Sequence, residues 1–276
     1  MSQHFKKWVE DSGIDYYTYF IKAWIAFNSW YQQKYGANRQ FSTERAIINE
    51  IKRSSNDFSN AIENYIEGTG DDSDNFRAYL ASLCKALQDC TIENGEERIS
   101  FSQIVIETNR YNQVNENHRG IRYFIERDDS NNTVRVVVEN SNGTSKYFLD
   151  QASGYSIEEI KSHRQWNGLT SAQQEQLEQN YHSINPRLPI NLIRRPHEKL
   201  EGQSFDERNY YECGSFDFVR NQDSSRKADS ITKGLIEILY RLRNALFHGE
   251  LDPSGDTMEV YKYTYLIMKM LIVKMR

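Results

Sequence analysis

The sequence predicts a mainly α-helical protein that carries a small antiparallel β insertion. Three observations predict it. Apolar residues recur at helical spacing at both ends of the chain, aromatic in the first stripe and leucine-rich in the later one. Only 4 of the 276 residues are proline, which leaves room for long helices. Between the ends, residues 121–150 change to β-branched and aromatic runs bounded by Asn and Gly turns.

The first helix is expected over 15–34. Tyr16, Phe20, Ala23, Trp24, Phe27 and Tyr31 form its stripe and Gly36 closes it. A second helical region covers 43–67 through Ile47, Ile51, Phe58, Ile62, Tyr65 and Ile66, broken by the polar stretch 53–56. Residues 68–72 read as a loop. It contains Gly68 and Gly70 but lacks the lysine and the strand context of a phosphate loop. Phe76, Tyr79, Leu80, Leu83 and Leu87 then predict a helix over 74–90.

The runs RYFIERDD, TVRVVVEN and TSKYFLD, parted by turns at 130–132 and 141–143, read as an antiparallel meander. It belongs to an insertion over 96–165, for which three roles stand open: a substrate-binding flap, a dimer element, or structural decoration. A polar helix is expected over 170–184, capped by Thr170 or Ser171 and stopped by Asn185 and Pro186. Pro189, Pro196 and Gly202 make 187–226 read as irregular chain. From Asp229, with Asp229 or Ser230 as cap, Ile231, Leu235, Ile238, Leu239, Leu242 and Leu246 form a clean stripe. A turn at 252–255 leads to a last helix over 257–274. The chain thus divides into N-terminal helices (1–95), the β-containing insertion (96–165), a connection (166–228) and C-terminal helices (229–276).

Bulk properties narrow the function. Aromatics make up 13% of the chain, too many for disorder, and the net charge of -5 is not that of a general nucleic-acid binder. RNA contact therefore needs a local basic patch. Arg194, Arg195 and His197 form one such spot, which reads either as solvated surface or as an RNA contact. Cys84, Cys90 and Cys213 are sparse, odd in number and without a Cys-x-x-Cys pair, which points to a reducing compartment and against a cysteine zinc site. The acidic pairs Asp71–Asp72 and Asp128–Asp129 have no histidine at ligand spacing, so no metal and no cofactor is expected. No apolar run approaches the roughly 18 residues of a membrane helix, and the first residues lack the apolar core of a secretion signal. A cytoplasmic protein without membrane contact is expected.

One segment carries chemistry: Leu239-Tyr240-Arg241-Leu242-Arg243-Asn244-Ala245-Leu246-Phe247-His248-Gly249. On an unbroken helix Arg243 and His248 would sit about 140° apart, so they share one face only if the helix ends near Phe247. Gly249 and the turn after it make that ending expected. Histidine takes or gives a proton near neutral pH, and arginine offers a charged fork to phosphate oxygens. Together they suit metal-independent RNA cleavage by the 2′-hydroxyl. A helix end also favours cations and glycine for backbone reasons alone, so this spacing has a purely structural reading as well.

The same segment resembles the signature of the HEPN superfamily (higher eukaryotes and prokaryotes nucleotide-binding): an arginine, four to six residues, then a histidine, commonly with a polar residue directly after the arginine. Arg243, Asn244 and His248 match it; Arg241 fits the looser form. The run FIKAWIAFNSWY at 20–31 is similar to the first helix of several HEPN groups, which ends in Phe-Asn, here Phe27 and Asn28. The resemblance covers 14–95 and 228–276 and leaves the middle uncovered. It implies a HEPN-like helical bundle and a homodimer that joins two Arg/His pairs in one cleft. It also implies an endoribonuclease acting on RNA in toxin or antiviral defence, with Arg243, His248 and Asn244 catalytic and Asn28 and Arg241 supporting. An inhibitory or activating protein partner fits such a role. Some HEPN toxins carry a modifiable tyrosine two residues after the histidine; Glu250 stands there instead. The alternative is a HEPN module that binds nucleotide or protein without cutting.

Overall fold

A computed structural model describes residues 15–38, 41–95, 97–194, 210–221 and 225–275. Its helices are α1 (Tyr16–Tyr35), α2 (Glu44–Arg53), α3 (Asp57–Glu67), α4 (Asp71–Asp89), α5 (Ile157–Ser162), α6 (Ser171–Ser183), α7 (Asp229–Phe247) and α8 (Gly255–Lys274). The strands are β1 (Glu93–Asn94), β2 (Glu97–Arg98), β3 (Gln113–His118), β4 (Ile121–Asp128), β5 (Thr133–Asn140), β6 (Ser145–Gln151), β7 (Ile193–Arg194), β8 (Tyr210–Cys213) and β9 (Phe216–Val219).

The described residues form a mixed α/β fold, and this corrects the expectation of a mainly helical bundle with one β insertion. About half of the described residues are helical, and the strands build three sheets: a β1-β2 hairpin, a four-stranded β3-β4-β5-β6 sheet and a three-stranded β7-β9-β8 sheet. The additional strands are short or polar. In β3 only Val114 is buried, so no apolar alternation marks it. The strands β7, β8 and β9 fall in the stretch read as irregular chain, and each has four residues or fewer.

Contacts divide the chain into two compact units. One is Glu107–Pro189; the other comprises the residues up to Ile106 together with those from Ile190 onward. In the Glu107–Pro189 unit, β3 to β6 form an antiparallel meander with Tyr123 opposite Val138 and Ile125 opposite Val136. Strand alternation sends Tyr123, Ile125, Val134, Val136, Val138 and Tyr147 to one face, where Ile160 of α5 and Leu177 and Tyr181 of α6 cover them. The opposite face carries cross-strand ion pairs, Arg122 with Glu139 at 2.7 Å and Arg135 with Asp150 at 2.8 Å. The unit thus has its own core, and α6 belongs to it.

The second unit is organised on α8. This helix packs most extensively on α1 and on α4. The aromatic stripe of α1 is core: Phe20 meets Tyr261 edge-on at 5.4 Å, Trp24 lies 6.3 Å from Tyr240, and Phe27 lies 4.2 Å from Phe58. The polar break between α2 and α3 is an N-cap in disguise. Asn56 and Ser59 form a capping box for α3, while the Asn56 side-chain amide donates to the carbonyls of Ile51 and Ser54. Thr43 caps α2 and Ser254 caps α8.

Two local expectations fail for physical reasons. The N-cap of α7 is Ala228 rather than Asp229 or Ser230. Asp229 is the first helical residue and its carboxylate holds Lys233 at 2.7 Å, one turn on. Asp71 and Asp72 do not lie in a loop; they open α4, where first-turn carboxylates complement the helix dipole.

Candidate functional site

Helix α7 places the motif. From Ile231 to Leu242 it is buried almost all round, between α2, α3, α1 and β1. The burial stops abruptly. Arg243 and Asn244 are half-buried, Ala245 is buried, and every residue from Phe247 to Glu250 is exposed. The helix ends at Phe247, with His248 as C-cap at φ -88° and Gly249 in the left-handed region at φ 68°. The Glu250 N–H then donates to the Ala245 carbonyl at 3.1 Å, the long bond of a Schellman ending. Glycine is needed at 249 because a Cβ in that conformation meets its own backbone. His248 therefore leaves the helix exposed, five residues beyond Arg243.

The Arg243 guanidinium is fastened on three sides. Its Nη1 donates to Asn244 Oδ1 at 2.9 Å and lies 3.2 Å from Glu44 Oε2. Its carbon stands 4.7 Å from the centre of the Phe247 ring. Glu44 is the first residue of α2, and its other oxygen accepts from the Tyr31 hydroxyl at 2.5 Å. Burial, reinforced by that carboxylate, raises the Tyr31 hydroxyl well above its ordinary range, so it stays a donor to Glu44. The chain Tyr31–Glu44–Arg243 thus joins α1, α2 and α7. The Arg243 Nε is buried without a partner among the described residues.

Beneath it lies a charged network centred on Glu237, whose side chain is 2% exposed. Arg45 donates to both its oxygens at 2.7 to 3.0 Å, Lys52 donates at 2.7 Å and Arg241 at 3.1 Å. Arg241 reaches on to Glu97 at 2.5 Å, and Arg45 also lies 4.5 Å over the Tyr240 ring. Burial alone would push the Glu237 carboxyl up. The hydrogen bonds and charges of Arg45 and Lys52 win, and hold it down at about 2. Burial pulls the Lys52 ammonium below its ordinary value against the pull of Glu237. Among the described residues, Arg45, Lys52, Arg241 and Arg243 form ion pairs with Glu44, Glu97 and Glu237. The exposed Glu250 adds a fourth carboxylate at this end of α7, so the charges there are balanced on a chain of net charge -5.

The structure separates the residues that the sequence singles out. Arg243, Asn244 and His248 occupy the last turn and the cap of α7, and Asn244 orients Arg243. Arg241 is 4% exposed and belongs to the Glu237 network. Asn28 is half-buried on α1, one turn before Tyr31, and its side chain makes no hydrogen bond among the described residues. Arg194 ends strand β7, opposite Asp217. Arg195 and His197 lie outside the described residues. Sequence reasoning missed Tyr31, Glu44, Glu237 and Phe247. Glu44 meets Arg243, and Tyr31 meets Glu44, through folding of segments far apart in the chain; Glu237 stands four residues before Arg241 on the same helix, an i, i+4 spacing that the sequence itself holds. Phe247 was legible as an apolar residue inside the motif.

The motif residues from Phe247 to Glu250 lie at the exposed surface. A cavity of about 270 Å³ lies between α4 and α8, lined by residues such as Lys85, Asp89, Asp256 and Glu259, and includes none of the motif residues. Among the described residues, no group of three or more His, Cys, Asp or Glu side chains has a metal-binding arrangement, and no helix is long and apolar enough to cross a membrane. No family model matches the chain, and no curated protein or solved structure matches it significantly.

Proposed function

We propose that the chain is a metal-independent endoribonuclease of the HEPN type, with Arg243 and His248 as its reacting pair and Asn244 as the residue that orients Arg243. The observation that carries this reading is the ending of α7: an arginine clamped on its last turns, followed by an exposed histidine at the cap. A base removes the proton of a ribose 2′-hydroxyl as its oxygen forms a bond to the adjacent phosphorus. The P–O5′ bond breaks, and an acid protonates the leaving 5′-oxygen. The products are a 2′,3′-cyclic phosphate and a 5′-hydroxyl. Histidine suits either proton transfer, and Arg243 suits the charge that grows on the non-bridging oxygens.

One histidine at each such helix end supplies one of the two proton transfers. A homodimer that sets two such helix ends in one cleft supplies both, and we include it in the proposal. The acidic chain fits a protein that contacts few phosphates and is restrained until RNA is presented, as a toxin or antiviral nuclease of the cytoplasm is. The salt bridge from Glu44 favours one alternative, a module that binds nucleotide or protein without cutting, because the carboxylate competes with phosphate for the same guanidinium.

The deciding experiment incubates the full-length protein with mixed cellular RNA in excess chelator, beside a folded H248A variant. Cleavage by the parent alone is expected. Equal cleavage by both, or by neither, overturns the proposal.

A further inference from the structure

Phe247 is a large aromatic residue left 53% exposed at the end of an otherwise buried helix. Its ring rests against the Arg243 guanidinium at 4.7 Å. That guanidinium is itself held by Glu44 and Asn244, so the ring has a fixed partner on one side. The residues after it, His248, Gly249 and Glu250, are exposed and polar or small, so the chain leaves the ring as a polar turn. A guanidinium and an exposed aromatic ring thus stand side by side, and His248 is the next residue. That pairing matches the two ends of one nucleotide, a charged phosphate and a flat base.

We propose that Phe247 is a base-stacking residue that makes unpaired RNA the substrate: Arg243 takes a backbone phosphate while the Phe247 ring takes the face of a neighbouring base. The inference rests on the ribonuclease reading and narrows it. Bases inside a duplex are already stacked on each other and have no free face, whereas unpaired bases are free to stack on a protein ring. Stacking tolerates any base, so the preference is for strandedness and not for sequence. The same contact fixes the nucleotide beside the phosphate, leaving its ribose to swing the 2′-hydroxyl into line with the bond to be broken.

The test uses the full chain in an H248A background, which binds without cutting. Fluorescence anisotropy measures affinity for a short mixed-sequence single strand, for a hairpin duplex and for an abasic strand of the same length. F247A and F247L are expected to weaken binding of the single strand by about tenfold, the order found for one lost base–aromatic stack. F247W is expected to bind as tightly as the parent, and no variant should change affinity for the abasic strand. Unchanged single-strand affinity in F247A overturns the proposal. So does an equal loss on the abasic strand, which assigns the ring to holding Arg243. A fall to a smaller species in sedimentation, with the loss of binding, assigns it to an interface between copies. If the wild-type chain cuts RNA while F247A binds like the parent, stacking alone is refuted. If the wild-type chain neither cuts nor binds RNA, the ribonuclease reading falls and takes this inference with it.

Discussion

Removing the charge of Glu237 by Glu237→Gln leaves Arg45, Lys52 and Arg241 facing one another around a neutral amide. The carboxyl is held at about 2 against an ordinary 4.5, which corresponds to about 3 kcal/mol of stabilisation at neutral pH. The side chain is almost wholly buried, so solvent does not discount that figure. Breaking a buried ion pair by removing one partner costs a similar amount, about 3–5 kcal/mol. The sign follows from the direction of the shift. The folded value lies below the unfolded one, so the contribution is complete above about 4.5 and is lost as pH falls through about 2. Urea unfolding of the parent and of E237Q is the assay. The expected difference is about 3 kcal/mol at pH 7, shrinking to less than half of that at pH 3, with the denaturant slope unchanged. A difference under about 1 kcal/mol at pH 7, or one that does not shrink in acid, would refute the view that this network of charges is a stabilising feature of the fold.

Further expectations concern the site and the two units. Glu44→Gln frees Arg243 from its clamp, and turnover on RNA is expected to fall about tenfold. Both side chains are about one-fifth exposed, so stability should change by no more than about 1 kcal/mol; kinetics and a thermal melt on the same sample separate the two. Gly249→Ala forces a side chain into the left-handed region and should cost about 1 kcal/mol, with Gly249→Asn costing less, as read from urea midpoints. The fragment 107–189 carries its own core and is expected to unfold cooperatively by circular dichroism when expressed alone; a non-cooperative melt contradicts its description as a separate unit.

Helices were legible where an apolar stripe ran long enough to show its period. The α1 aromatics, the Leu235–Leu246 stripe and the break at Asn56 all correspond to elements of the structure. The strands β4, β5 and β6 were legible because Val, Ile, Tyr and Phe alternate between recognisable turns. The lost part shares one cause. Strands such as Tyr210–Cys213 and Phe216–Val219 draw their order from pairing with each other and with Ile193, contacts that a short window of sequence does not hold. Their omission produced the expectation of a mainly helical protein. The site divides in the same way. Arg243, Asn244 and His248 were visible as neighbours in one helix, and Gly249 marked where it ends. The clamp formed by Tyr31 and Glu44 joins α7 to helices near the other end of the chain, so its residues carried no mark of their role. Arg241 and Arg243 differ by two positions, enough on a helix to turn one inward to Glu237 and leave the other at the rim.

The reacting pair is tested most directly by the ends it leaves. A defined single-stranded RNA is incubated with the full-length chain in excess chelator, and both new termini are identified by mass. A 2′,3′-cyclic phosphate and a 5′-hydroxyl are expected, with the rate falling by at least about a hundredfold in R243A, as for loss of a group that stabilises transition-state charge. A 3′-hydroxyl with a 5′-phosphate, or an R243A rate equal to that of the parent, would contradict the assignment of Arg243 and His248.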